Sequence, residues 1–428
     1  MKHTFKRLTA IFLTLCMLLS VLPLGAFAAS DPDSYVFDIS EGSITVVDGD
    51  TAGKIKVKYG EGLTTEEFDP SQVITVTGTV NGGSLEIDTA TPVTIKASNL
   101  TINNAYVNYL SPMRLVNGAA NVTLVLEGEN LFVGGRDQAG IVVETGRTLT
   151  ITGSGSLVAR AEDNNPGWYS SCGAGIGARV DQYCGTIIIS GGTVTATGRG
   201  GSADIGGGMD HPNTGALTVD GDAWVTAANI GGTKTLTKGV VNGTVYGDVT
   251  LTEDRTIDDL TIPAGASLTV PEGVTLTVNG TVTNSGALTA FDSSSLAGTG
   301  SLTGSGSFVA IPSIAVAADL VETGEVLNPG ATLGGSGFSF GGADFTVDTT
   351  GWTSPVYNPT EVKNAGEYTV SFTKGDLTVS KTFTVNAPAQ YTVTFKANGY
   401  QVAQYTVRDG ETLPEIPAVP ETYGYTGK

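Results

Sequence analysis

"SSCGAGIGARVDQYCGTIIISGGTVTATG" spans residues 170–198, and the fold turns on how its glycine run is read. "GAGIG" (Gly173 to Gly177) is either the phosphate loop of a dinucleotide site or one corner of a repeated structure. A phosphate loop must open a helix, so that the helix N-terminus faces the pyrophosphate. This glycine run leads instead into "RVDQYCGTIIIS", a loop and then a β-branched strand. The dinucleotide reading fails on that point.

The repeat reading finds support outward from the same stretch. Four segments end in glycine: "VTLVLEG" (122–128), "TLTITG" (148–153), "TIIISG" (186–191) and "ALTVDG" (216–221). Aligned on those glycines, they put Leu126, Ile151, Ile189 and Val219 in one column, and Leu124, Leu149, Ile187 and Leu217 in another. Period-two alternation predicts strands with one buried face. Leu131, Val194 and Trp224 sit three residues beyond Gly128, Gly191 and Gly221, with Leu157 their equivalent after a one-residue shift. A third column is "AGI" (139–141), "AGI" (174–176), "ADI" (203–205) and "ANI" (228–230). Its middle residues (Gly, Gly, Asp, Asn) are the types that best tolerate a left-handed backbone, so a bend followed by an inward Ile is expected.

Downstream, "LTIPAGAS", "LTVPEGVT" and "LTVNG" start eight residues apart, at Leu260, Leu268 and Leu276. Eight residues make one short strand and a turn, so three make a repeat of about 24. The expectation is an all-β chain: a right-handed three-sided parallel β-helix over 29–310. Beyond it come an immunoglobulin-like β-sandwich over 311–388 and a truncated small β-repeat module over 389–428. "NAGEYTVSFTKGDLTVSKTFTV" (364–385) alternates around "KGD" and predicts a hairpin.

Residues 1–28 read as a secretory signal peptide: a basic start (Lys2, Lys6, Arg7), an apolar stretch, and Ala26 and Ala28 at the cleavage positions. Its removal leaves 19 Lys+Arg against 42 Asp+Glu, a balance of −23. That argues against nucleic acid as a partner. No later stretch is apolar for long enough to span a bilayer. The chain is expected outside the cell, secreted or on the surface, and monomeric. Of the three cysteines, Cys172 and Cys184 lie beyond the leader, and an isolated pair in an exported chain is expected as a disulfide.

Candidate chemistry is sparse. The mature chain has one histidine, His211, which leaves no multi-His zinc site and no His pair. Asp210-His211 lies in a turn-like "MDHPN", and Asp258-Asp259 lies at a corner between strands, so no catalytic residue is assigned. Glu144, Asp181 and Asp210 come after the Ile column on successive repeats. They read as a calcium site or as a solvated acidic edge. Trp168 and Tyr169, with Arg136 and Arg199 at the same corner, are the candidate carbohydrate-binding residues. The other reading of that loop folds its own rings back onto the scaffold.

Two family resemblances bear on location. "YTVTFKANG", "VRDGETLPEIPAVP" and "GYTGK" in residues 391–428 resemble the internalin-type B-repeat of bacterial surface proteins. "YVFDISEGSITV" (35–46), "GSGSLVA" (153–159) and "GAGIGA" (173–178) resemble a group of exported Gram-positive β-helix proteins, often labelled carbohydrate-binding, whose helix is similar to that of pectate lyases. The resemblance bears on fold and location more than on chemistry; the expectation drawn from the whole sequence is a cell-surface binding or adhesion protein for a polysaccharide or host glycan, non-catalytic. The competing expectations are a lyase or hydrolase of the pectin-degrading type, and a structural spacer without a ligand.

Overall fold

The computed structural model describes residues 34–60, 62–116, 121–162, 173–375, 377–397 and 399–418. The described chain is all-β, with two three-residue 3-10 turns at Ile39–Glu41 and Ser293–Ser295. Its strands are short and their apolar residues alternate, as at Thr148–Gly153 and Thr193–Thr197.

The expected right-handed three-sided parallel β-helix is corrected by the pairing pattern. Eight strands pair in a cycle: Thr186–Ile189, Thr148–Gly153, Asn121–Glu127, Val93–Asn103, Glu129–Gly134, Ser156–Ala161, Thr193–Thr197 and Ala216–Thr226. The last pairs with the first, and every pairing is parallel. The result is a closed eight-strand parallel barrel with extra strands. Its cause is strand length. Val93–Asn103 and Ala216–Thr226 run for 11 residues each and pair with a different neighbour along each half. They join ladders that the sequence pattern alone separates into sides.

The Ile column is present. Leu85, Met113, Ile141, Ile176, Ile205 and Ile230 are in register across a second, eight-stranded sheet and its flanking bridge. Other registers shift. Ile151 pairs with Leu124 rather than Leu126, a slip of two that keeps every side chain on its face. Leu157 pairs with Asn130 on one side and Val194 on the other, and Val194 pairs with Val225, so Leu131 and Trp224 are out of the buried column. Asn130 is 3% exposed. It fills the place by accepting from the Leu100 amide at 2.9 Å and donating to the Ser156 carbonyl at 3.0 Å.

The middle residues of the third column do not adopt the expected left-handed backbone. Gly140 and Gly175 are required for close approach instead. A Cβ at Gly140 would lie 2.6 Å from the Arg160 nitrogen, and one at Gly175 would lie 2.7 Å from the Asp204 oxygen. Asp204 uses its carboxylate, accepting from the Gly198 amide at 2.7 Å and the Asn229 amide at 2.8 Å.

One apolar cluster runs from Phe37 to Val241, and a second runs from Val240 to Phe345. Leu260, Leu268 and Leu276 each belong to a different parallel ladder, facing Val282, Leu288 and Leu296 about 20 residues on. The Ala343–Val347 strand lies past residue 310 yet pairs in parallel with Ser307–Ala310. Where an immunoglobulin-like sandwich is expected, 311–388 also holds a two-stranded sheet and a three-stranded antiparallel sheet, whose Ile314, Val370, Phe372 and Val379 share one apolar cluster. Gly366–Lys374 and Leu377–Val385 form the expected hairpin. Gln390–Ala397 and Tyr400–Arg408 form another.

Candidate functional site: a corner ridge of exposed aromatics and charges

Four loops meet at one edge of the barrel. Residues 104–110 come after Val93–Asn103, and residues 135–138 come after Glu129–Gly134. Residues 178–184 and 207–214 come after the two-residue strands Ile176–Gly177 and Ile205–Gly206. Backbone bonds tie them in sequence. Asn108 bridges Arg136, and the Tyr109 amide donates to the Arg136 carbonyl at 3.3 Å. The Val180 amide donates to the Asp137 carbonyl at 3.4 Å, and the Gly208 amide to the Gln182 carbonyl at 3.2 Å.

The aromatic side chains on this edge are open to solvent. Tyr106 is 84% exposed, Tyr109 63% and Tyr183 52%. The Arg136 guanidinium lies 6.0 Å from the centre of the Tyr109 ring, and Arg136 also pairs with Asp137 at 3.6 Å. Tyr109 has φ +59°. A bulky residue rarely adopts a left-handed backbone, and such residues concentrate at binding and catalytic sites. Tyr183 stacks on His211 with centroids 3.9 Å apart and planes inclined by 18°.

The acidic residues divide into two groups. Glu144 is not part of the expected trio: Arg179 Nε meets it at 2.5 Å and Arg147 at 3.2 Å, and its side chain is 15% exposed. Two guanidiniums already neutralise it, so it is committed to ion pairs rather than to a cation. Asp181 and Asp210 do come together, with Asp137 beside them. Their mutual hydrogen bond raises the Asp181 carboxyl above its ordinary range. Desolvation and the charges of Asp210 and Asp137 add to this, and His211 opposes it. Among the described residues, no group of three His, Cys, Asp or Glu side chains is arranged to hold a metal ion.

Arg199, also expected at this corner, is exposed, and its amide donates to the Gly173 carbonyl at 3.1 Å. Trp168, Tyr169 and Cys172 lie outside the described residues. Cys184 is a free, buried thiol, pushed up to about 12 by desolvation despite a bond from the Gly185 amide. Asp259 accepts from the Thr281 amide at 2.8 Å, a bond to the first residue of a later strand.

Sequence reasoning missed Tyr106, Tyr109, Asp137 and Tyr183. Asp137 and Asp181 both have positive φ, but no repeated spacing in the sequence marks them or the three tyrosines. Compared with protein-family models, curated proteins and solved structures, the chain matches none. Among the described residues no helix is long and apolar enough to cross a membrane.

Proposed function

We propose that the chain is an exported, surface-associated, non-catalytic binding protein whose corner ridge takes a polysaccharide or host glycan. The observation that carries this reading is Tyr109. It is a tyrosine in a left-handed backbone, its ring open to solvent under Arg136. Aromatic faces stack on the apolar side of a sugar ring, and neighbouring Arg and Asp groups bond its hydroxyls. Tyr106, Tyr183 and His211 extend the aromatic row along the same edge. The Asp181–Asp210 pair lies on the same edge, and the hydrogen bond between them raises the Asp181 carboxyl above its ordinary value.

A glycan array probed with the full chain, and with Tyr109→Ala and Tyr106→Ala, tests the proposal. Specific binding should weaken about tenfold or more when either ring is removed. An array on which nothing binds, or binding that ignores both changes, would sink it. Release of reducing ends or unsaturated products from pectin-type substrates would replace it with the enzyme reading.

A further inference from the structure

A second groove shares no lining residue with the ridge. It lies where the Asp248–Thr250 ladder faces the Gly366–Lys374 and Leu377–Val385 hairpin. It encloses about 600 Å³, which is within the ordinary range for a small-ligand site. Thr250, Thr269 and Thr289 share one register across three parallel strands, with Val309 next in line. Their neighbours Val249, Leu268 and Leu288 are buried, so alternation turns the threonines into the groove. Three hydroxyls therefore recur at the strand spacing of about 4.8 Å. None of these three hydroxyls bonds another described residue.

Trp352 also lines the groove. Its indole N–H donates to the Asp348 carbonyl at 3.1 Å, which ties the ring to the backbone and leaves it half-buried. Two lysines and three aspartates line the groove, and each of them has a partner. Lys238 pairs with Asp222 at 3.0 Å, Lys374 pairs with Asp348 at 2.8 Å, and Asp248 accepts from the Ser267 hydroxyl at 2.6 Å.

We infer that this groove is a second binding site, for an uncharged oligosaccharide. A row of solvent-facing hydroxyls together with an anchored indole suits a chain of pyranose rings. Such a chain offers hydroxyls at its edges and C–H groups on its faces. Both lysines that line the groove are already engaged by carboxylates, which disfavours a uronate, sulfate or phosphate group there. The inference stands independently of the ridge.

Isothermal titration of the full chain with neutral cello-, xylo-, manno- and malto-oligosaccharides, and with polygalacturonate as the anionic probe, tests it. At least one neutral series should bind. Thr269→Val with Thr289→Val, which keeps side-chain shape and removes two hydroxyls, should weaken that binding about tenfold or more. Trp352→Ala should abolish it. No binding by any neutral series, a preference for polygalacturonate, or indifference to the paired threonine change would overturn the inference. Loss with Tyr109→Ala alone would assign the binding to the ridge and remove the groove.

Discussion

Gly175 shows how a single missing side chain shapes this fold. Its φ is not left-handed, so its role is not conformational freedom. A Cβ there would overlap the Thr197 amide and sit 2.7 Å from the Asp204 carbonyl oxygen, both backbone atoms further along the chain. Backbone cannot swing aside as a flexible side chain would. Gly175→Ala should therefore cost about 2 kcal/mol or more, read from denaturant midpoints. A loss under about 0.5 kcal/mol would mean that neighbouring strands are further apart than described. Asn130 marks the limit of what the sequence could reveal at this scale. The Ile column was legible because one apolar residue type recurs at a constant offset. An asparagine bonded into an apolar column carries no such signature, so hydrophobicity alone points to Leu131 as the inward residue.

At the scale of elements, the corner loops respond to pH through Asp181. Its carboxyl is raised in the folded state by the bond to Asp210, so it favours folding while the pH is below the ordinary Asp value of 3.8. That contribution is lost as pH rises through the raised folded value, and like-charge repulsion from Asp210 and Asp137 then remains. Asp181→Asn keeps a residue that tolerates φ +57° and removes the charge. Thermal melts should place the variant above the parent at about pH 7, with the gap closing or reversing near pH 3. A gap independent of pH would break the link to this carboxylate. The strands themselves were mostly legible, because alternation is a property of each short segment. The ridge was less so: Tyr106 and Tyr109 are lone aromatics in a loop, where no period distinguishes an exposed ring from a buried one.

For the whole molecule, closure of the barrel is the feature that local patterning does not contain. Two 11-residue strands each pair with different neighbours along their two halves, and only the assembled chain shows that those pairings meet. Ile188 lies in the ladder that completes the cycle, between Thr150 and Thr218. A proline there removes a ladder donor in a central strand. Ile188→Pro should unfold the barrel as one cooperative unit. Hydrogen exchange would show strand amides throughout 93–226 losing protection together. Loss confined to the strands beside Ile188 would show that the ring is not a single cooperative unit. The two apolar clusters meet at adjacent residues, Val240 and Val241, so damage to one can be compared with the integrity of the other.

The same closure sets an order of events while the chain is being made. Val93–Asn103 appears early, but the strand that completes the ring, Ala216–Thr226, emerges more than a hundred residues later. Until then the growing chain carries parallel strands with open edges, the arrangement most prone to pairing with the wrong partner. Parallel pairing allows no tight hairpin to protect those edges in the meantime. A ribosome that pauses before residue 226 therefore holds an unfinished ring, and the chain escapes that hazard in one step when the last strand arrives.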